Sequence, residues 1–70
     1  SYNNSGLARY NIGDYRGAIN DYKNALKIDP SKPFLFVNLG LAKEQIGDSS
    51  GACEDYKKAA RLGGELILNW

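Results

Sequence analysis

The chain has 70 residues, room for one small domain. Nine Lys and Arg against eight Asp and Glu leave a net charge of +1, so no basic excess exists to neutralise a run of phosphates, which argues against nucleic acid. There is no His, which removes the commonest general base and metal ligand, and so short a chain has little core from which to wall an active site, so no enzyme and no metal or other cofactor is expected.

In chain order the pattern predicts a first helix over about residues 2–12, stopped by Gly13. Asp14 offers a side-chain oxygen to cap a second helix over about 15–28. Asp29-Pro30 ends that helix, because a residue before proline is pushed out of the α region. Ser31 is placed to cap a third helix over about 32–46, with Pro33 in the first turn, where its missing N–H costs nothing. Gly47 stops it, Asp48 caps a fourth helix over about 49–62, and Gly63-Gly64 closes that one. Residues 65–70, rich in Leu, Ile and Trp, read as the first turns of a fifth, capping helix. No alternating strand pattern occurs.

These elements repeat. Laid on itself at an offset of 34 the chain gives 36 ungapped pairs, of which thirteen are identical. Among them are Asn4/Asn38, Gly6/Gly40, Gly13/Gly47, Asp14/Asp48, Ala18/Ala52, Asp21/Asp55, Tyr22/Tyr56 and Ala25/Ala59. The repeated Gly6, Ala18 and Ala25 allow close approach of helices. Tyr2, Ile12, Tyr22 and Ile28, with Phe36, Ile46, Tyr56 and Leu62, are expected to fill the flanks as core. Cys53 aligns with Ile19 and is expected to pack between helices. Lys23, Lys27, Lys57, Lys58 and Arg61 are expected on a solvated outer face, with Asp21 balanced by Lys23 and Asp55 by Lys57 and Lys58.

The run Gly-Leu-Ala-Arg-Tyr-Asn-Ile-Gly-Asp-Tyr-Arg-Gly-Ala-Ile-Asn-Asp-Tyr-Lys-Asn-Ala-Leu-Lys-Ile-Asp-Pro, residues 6–30, resembles a tetratricopeptide repeat, a helix–turn–helix unit of 34 residues. The resemblance covers essentially the whole chain: repeat 1 over about 1–32, repeat 2 over about 33–64, and a partial capping helix over 65–70, all in one domain. Three positions depart from the family pattern. Ser5 stands where a Leu is usual, Ser49 replaces the aromatic supplied by Tyr15, and Gly63-Gly64 replaces Asp-Pro. The ending Tyr56 to Gly63 is also similar to Sel1-type repeats, whose usual units are longer than 34. The RNA-reading pentatricopeptide repeats share the length, but the Asp-Tyr and Asp-Pro signatures and the near-zero charge disfavour them. The resemblance implies an all-α fold of tandem helix–turn–helix repeats, a fragment of a right-handed superhelix or α-solenoid.

Asn3, Asn4, Leu7, Tyr10 and Asn11 recur at i, i+1, i+4, i+7 and i+8 and so share one helix face; Val37, Asn38, Leu41, Glu44 and Gln45 form the matching face in repeat 2. The resemblance implies that this face lines the concave groove. Asn4 and Asn38 resemble an asparagine ladder holding a peptide main chain, for which a carboxamide supplies both donor and acceptor. Leu7 and Leu41 would add apolar contact, and Asn11 with Gln45 a second amide row. The alternative is that Asn4 and Asn38 are solvated or bond between helices. A clamp for a free C-terminal carboxylate would need Lys and Asn where Asn3 and Leu7 stand, and only Asn38 matches it. The expected function is therefore a protein-interaction module binding an extended peptide or partner helix. The alternative is a structural spacer or self-associating segment that stacks end to end or forms a homo-oligomer through Tyr2, Leu7 and residues 65–70.

Location is bounded loosely. A single Cys cannot form an intrachain disulfide, which fits a reducing cytoplasm. The longest apolar run, residues 34–37, falls far short of the roughly 18–20 that span a membrane, and the polar first residues are unlike a signal peptide. Residue 1 is not Met, as expected of a piece cut from a longer chain.

Overall fold

The computed structural model describes residues 2–63, with the side chains of Tyr2 and Asn3 left out. It holds four helices: α1 (Tyr2–Asn11), α2 (Tyr15–Ile28), α3 (Pro33–Gln45) and α4 (Ser49–Gly63), and among the described residues there is no strand. The expected fifth helix over 65–70 lies outside the described residues.

Local chemistry sets these boundaries twice over. Gly13 and Gly47 adopt φ of 87° and 86°, a left-handed turn that a side chain would strain. Asp14 then accepts the backbone N–H of Gly17 at 3.1 Å, and Asp48 that of Gly51 at 3.1 Å, satisfying donors that have no partner within the helix. Asp29 closes α2 through its N–H to the Ala25 carbonyl at 2.9 Å. The cap of α3 differs from expectation. Pro33 holds Lys32 extended at φ −92° and ψ 104°, so Lys32 occupies the cap with no side-chain bond. Ser31, one residue too early, turns back instead: its hydroxyl and its N–H both donate to Asp29 Oδ1, at 2.7 and 3.2 Å.

The helices pack in chain order, α1 on α2, α2 on α3 and α3 on α4, and α1 also touches α3. The core centres on Ala18, Ile19 and Tyr22 of α2 against Leu35, Leu39 and Ala42 of α3, with Tyr10, Ala25 and Leu26 beside it. Ala52 and Ala59 are buried on α4. A Cβ added at Gly6 would lie 2.7 Å from the Tyr22 ring, and one at Gly40 would lie 2.7 Å from the Tyr56 ring. The repeated glycines are thus slots for the repeated tyrosines.

Several expected core positions are not core. Ile12 is 80% exposed and Ile28 73%, and Ile46 and Leu62 are exposed too. All four stand at helix ends or in the turn after one. Tyr22 is buried, whereas Phe36 and Tyr56 are half-buried. Cys53 is also exposed. Its counterpart Ile19 clusters with Leu35 and Leu39 of the next hairpin, and no described helix covers the matching face of α4.

The acids pair differently as well. Asp21 and Asp55 are buried and do not balance Lys23, Lys57 or Lys58, which stay exposed. Asp21 Oδ2 accepts the Ser5 hydroxyl at 2.8 Å and lies 2.9 Å from Arg9 Nε. Asp55 Oδ2 lies 2.9 Å from Lys43 Nζ. Each buried carboxylate takes its counter-charge from the facing helix: Lys23 and Lys57, two residues on along the same helix, point elsewhere, and Lys58 lies over the Phe36 ring at 5.8 Å instead.

Candidate functional site

The packing order leaves α1 and α3 side by side, and an open cleft of about 110 Å³ runs between them. Its walls are Leu7, Tyr10 and Asn11 of α1 and Asn38 and Leu41 of α3, with Tyr22 of α2 at its base. Five of the ten residues expected on the groove face therefore meet around one depression. Asn4 is exposed on α1, Val37 is half-buried on α3, and Gln45 is exposed at the end of α3. The Asn3 side chain lies outside the described residues. The second expected amide row is split: Asn11 lines the cleft and Gln45 does not.

Tyr22 was legible only as core, and it is 1% exposed. It nevertheless floors the cleft, because Gly6 admits its ring beneath α1. The signal was the Gly6/Tyr22 pair repeating as Gly40/Tyr56. Tyr10 is steadied at the wall by an edge-on contact with Tyr15, ring centres 5.2 Å apart. Leu7 and Leu41 remain exposed, so the cleft presents unspent apolar surface beside two carboxamides.

Behind this face the buried acids anchor the lining helices. Arg9 bridges two carboxylates, Asp21 and, through Nη1 at 3.0 Å, Asp14. The hydrogen bond to Asp14 and the charge of Asp21 push the Arg9 pKa up. The Gly17 N–H, with Arg9 beside it, holds Asp14 below the usual carboxylate range. The Tyr56 hydroxyl donates to Glu44 Oε1, and burial together with that bond pushes the phenol up to about 12. Burial also raises Tyr22. None of these groups is paired as an acid and a base facing a common space; each shift has a structural partner.

The cleft's size decides what it suits. Small-molecule sites usually enclose roughly 300–1,000 Å³. A depression of about 110 Å³ holds one or two side chains of a longer ligand. Among the described residues no group of three or more His, Cys, Asp or Glu side chains could hold a metal ion, and no helix is long and apolar enough to cross a membrane.

Comparison with known families agrees with this architecture. A family profile described as TPR repeat matches residues 6–47, and one described as tetratricopeptide repeat matches residues 35–62. No curated protein matches the chain.

Proposed function

The chain belongs to the tetratricopeptide repeat family, whose repeats generally mediate protein–protein interaction, and we propose that it is a non-catalytic module that binds an extended peptide or a partner helix along the α1–α3 face. The observation that carries this reading is the cleft itself. Leu7, Tyr10 and Leu41 offer apolar contact, and Asn11 and Asn38 offer carboxamides within one depression. A carboxamide can pair with a main-chain N–H and C=O without reading the side chains, while the apolar wall supplies burial. Two repeats, about 1–32 and 33–64, with a partial capping helix over 65–70, form one binding domain in this reading. The free thiol of Cys53 fits a cytoplasmic setting.

The test uses a partner captured by the whole chain and identified. Asn38→Ala should weaken its binding by about 0.5–1.5 kcal/mol, the net value of a hydrogen bond. Leu41→Asp should cost more, because it sets an unpaired charge in the contact. Both variants should keep their thermal midpoint, since both side chains sit at the surface or partly so. A partner bound equally well by the double variant would overturn the groove.

The second reading is a spacer that associates with copies of itself. Supporting it are exposed Ile28, Phe34 and Leu62 near the ends of the helices. A concentration series in the analytical ultracentrifuge separates the two readings: a spacer of this kind dimerises or stacks, and a peptide groove need not.

A further inference from the structure

Among the described residues the groove face carries no free cation. Arg9 and Lys43 are the sole basic residues of α1 and α3. Arg9 stands two residues from both Leu7 and Asn11, and Lys43 two residues from both Leu41 and Gln45. Two residues are about 200° round a helix of 3.6 residues per turn. Both cations therefore point away from the cleft, and both are held there. Arg9 grips Asp21 at 2.9 Å and Asp14 at 3.0 Å, and Lys43 grips Asp55 at 2.9 Å. Swinging either one into the groove would leave a buried carboxylate without its counter-charge. Beside the cleft, on the same side of α3 as Leu41 though outside the depression itself, stands a negative charge. Glu44 lies one turn beyond Leu41, is exposed, and accepts the Tyr56 hydroxyl through Oε1 alone.

We infer that the groove selects an internal peptide segment carrying Lys or Arg beside an apolar side chain, and rejects free C-terminal carboxylates and phosphorylated segments. This rests on the peptide-binding reading above and adds its charge rule. The apolar side chain enters between Leu7, Tyr10 and Leu41, the main chain meets Asn11 and Asn38, and the cation reaches Glu44. An anionic ligand group would be desolvated beside Glu44 with nothing positive to receive it.

The probe is a library of random dodecapeptides fused through their C-termini to a phage coat protein and selected on the full chain. Enriched sequences should pair Lys or Arg with Leu, Ile or Phe and should be poor in Asp and Glu. A C-amidated synthetic copy of an enriched sequence should bind about two- to fivefold more weakly to Glu44→Gln, the range of an exposed ion pair. Gln keeps an acceptor for the Tyr56 hydroxyl, and circular dichroism would check that the helices persist. Selection on Glu44→Lys should shift enrichment toward acidic sequences. Peptides that Leu41→Asp displaces but that show no preference for cations, or the same preference on Glu44→Lys, would overturn the charge rule and leave the groove standing. If no peptide sensitive to Leu41→Asp is enriched at all, the groove reading fails and the charge rule with it.

Discussion

The hairpin α1–α2 and the hairpin α3–α4 are built on one frame and differ where they meet other helices. Both close their first helix with a left-handed glycine, cap the second with an aspartate, and seat a tyrosine under a glycine so closely that an added Cβ would lie 2.7 Å from the ring. In the first hairpin Asp21 receives a hydroxyl from Ser5 and the Nε of Arg9. In the second, Leu39 stands in the place of Ser5 and is buried against α2. Asp55 Oδ2 consequently has a close ammonium but no hydrogen bond. From the other side of the same junction Ile19 is buried, and Cys53, its counterpart, is exposed. The apolar member of each pair is the one that faces the α2–α3 junction. A repeat position keeps its side chain where the frame requires it and changes its chemistry according to whether another helix covers it.

The sharpest way to break this comparison is to remove the counter-charges. Lys43→Ala leaves Asp55 buried and unpaired, which typically costs about 3–5 kcal/mol. Set against the roughly 5–15 kcal/mol that holds a small domain together, that is enough to unfold much of the population. Arg9→Ala should cost less, since Asp21 keeps the Ser5 hydroxyl and is the less enclosed acid, its side chain 10% exposed against 5% for Asp55. Urea titrations followed by circular dichroism would rank the two, and equal losses would remove the distinction between the hairpins.

The glycine slots give a smaller effect. Gly6→Ala drives a methyl into the buried Tyr22 ring, and overpacking of this kind costs about 1–3 kcal/mol. Gly40→Ala meets the half-buried Tyr56, which has room to yield, and alanine returns up to about 1 kcal/mol of helix propensity. Thermal melts should therefore show Gly6→Ala as clearly destabilised and Gly40→Ala as close to the parent. The reverse order would mean that the two tyrosines are equally confined.

The smallest effect is on the pH profile. Burial and Glu44 push the Tyr56 phenol up to about 12, above its ordinary value near 10. The folded state therefore favours the neutral phenol. Its contribution is complete below about pH 10 and fades as pH rises from there toward 12. Tyr56→Phe should flatten the fall in urea midpoint across that window. Tyr22, raised chiefly by burial, contributes to the part that remains. An unchanged slope in Tyr56→Phe would show that the bond to Glu44 does not persist in solution.

Much of this protein was legible in its order of residues, because the signals were local and came twice. Gly13 and Gly47, Asp14 and Asp48, and the Asp29-Pro30 break act within a few residues of themselves, so the four helices and their ends follow from short-range sterics and capping. That Leu7, Tyr10 and Asn11 share one face of α1, and Asn38 and Leu41 one face of α3, followed from helical periodicity; that the two faces line one groove was implied only by the resemblance to tetratricopeptide repeats. The structure decided what depends on crossing points and on which helix covers which. It moved Ile12, Ile28, Ile46 and Leu62 out to solvent and exposed Cys53, because hydrophobicity states a preference for burial and cannot say where neighbouring helices diverge. It assigned Asp21 to Arg9 and Asp55 to Lys43, because a buried charge is neutralised by whatever the facing helix presents. The cleft, too, exists only once Tyr22 passes beneath Gly6 and α3 settles beside α1. A concavity belongs to surfaces from three helices at once, and no single stretch of sequence contains it.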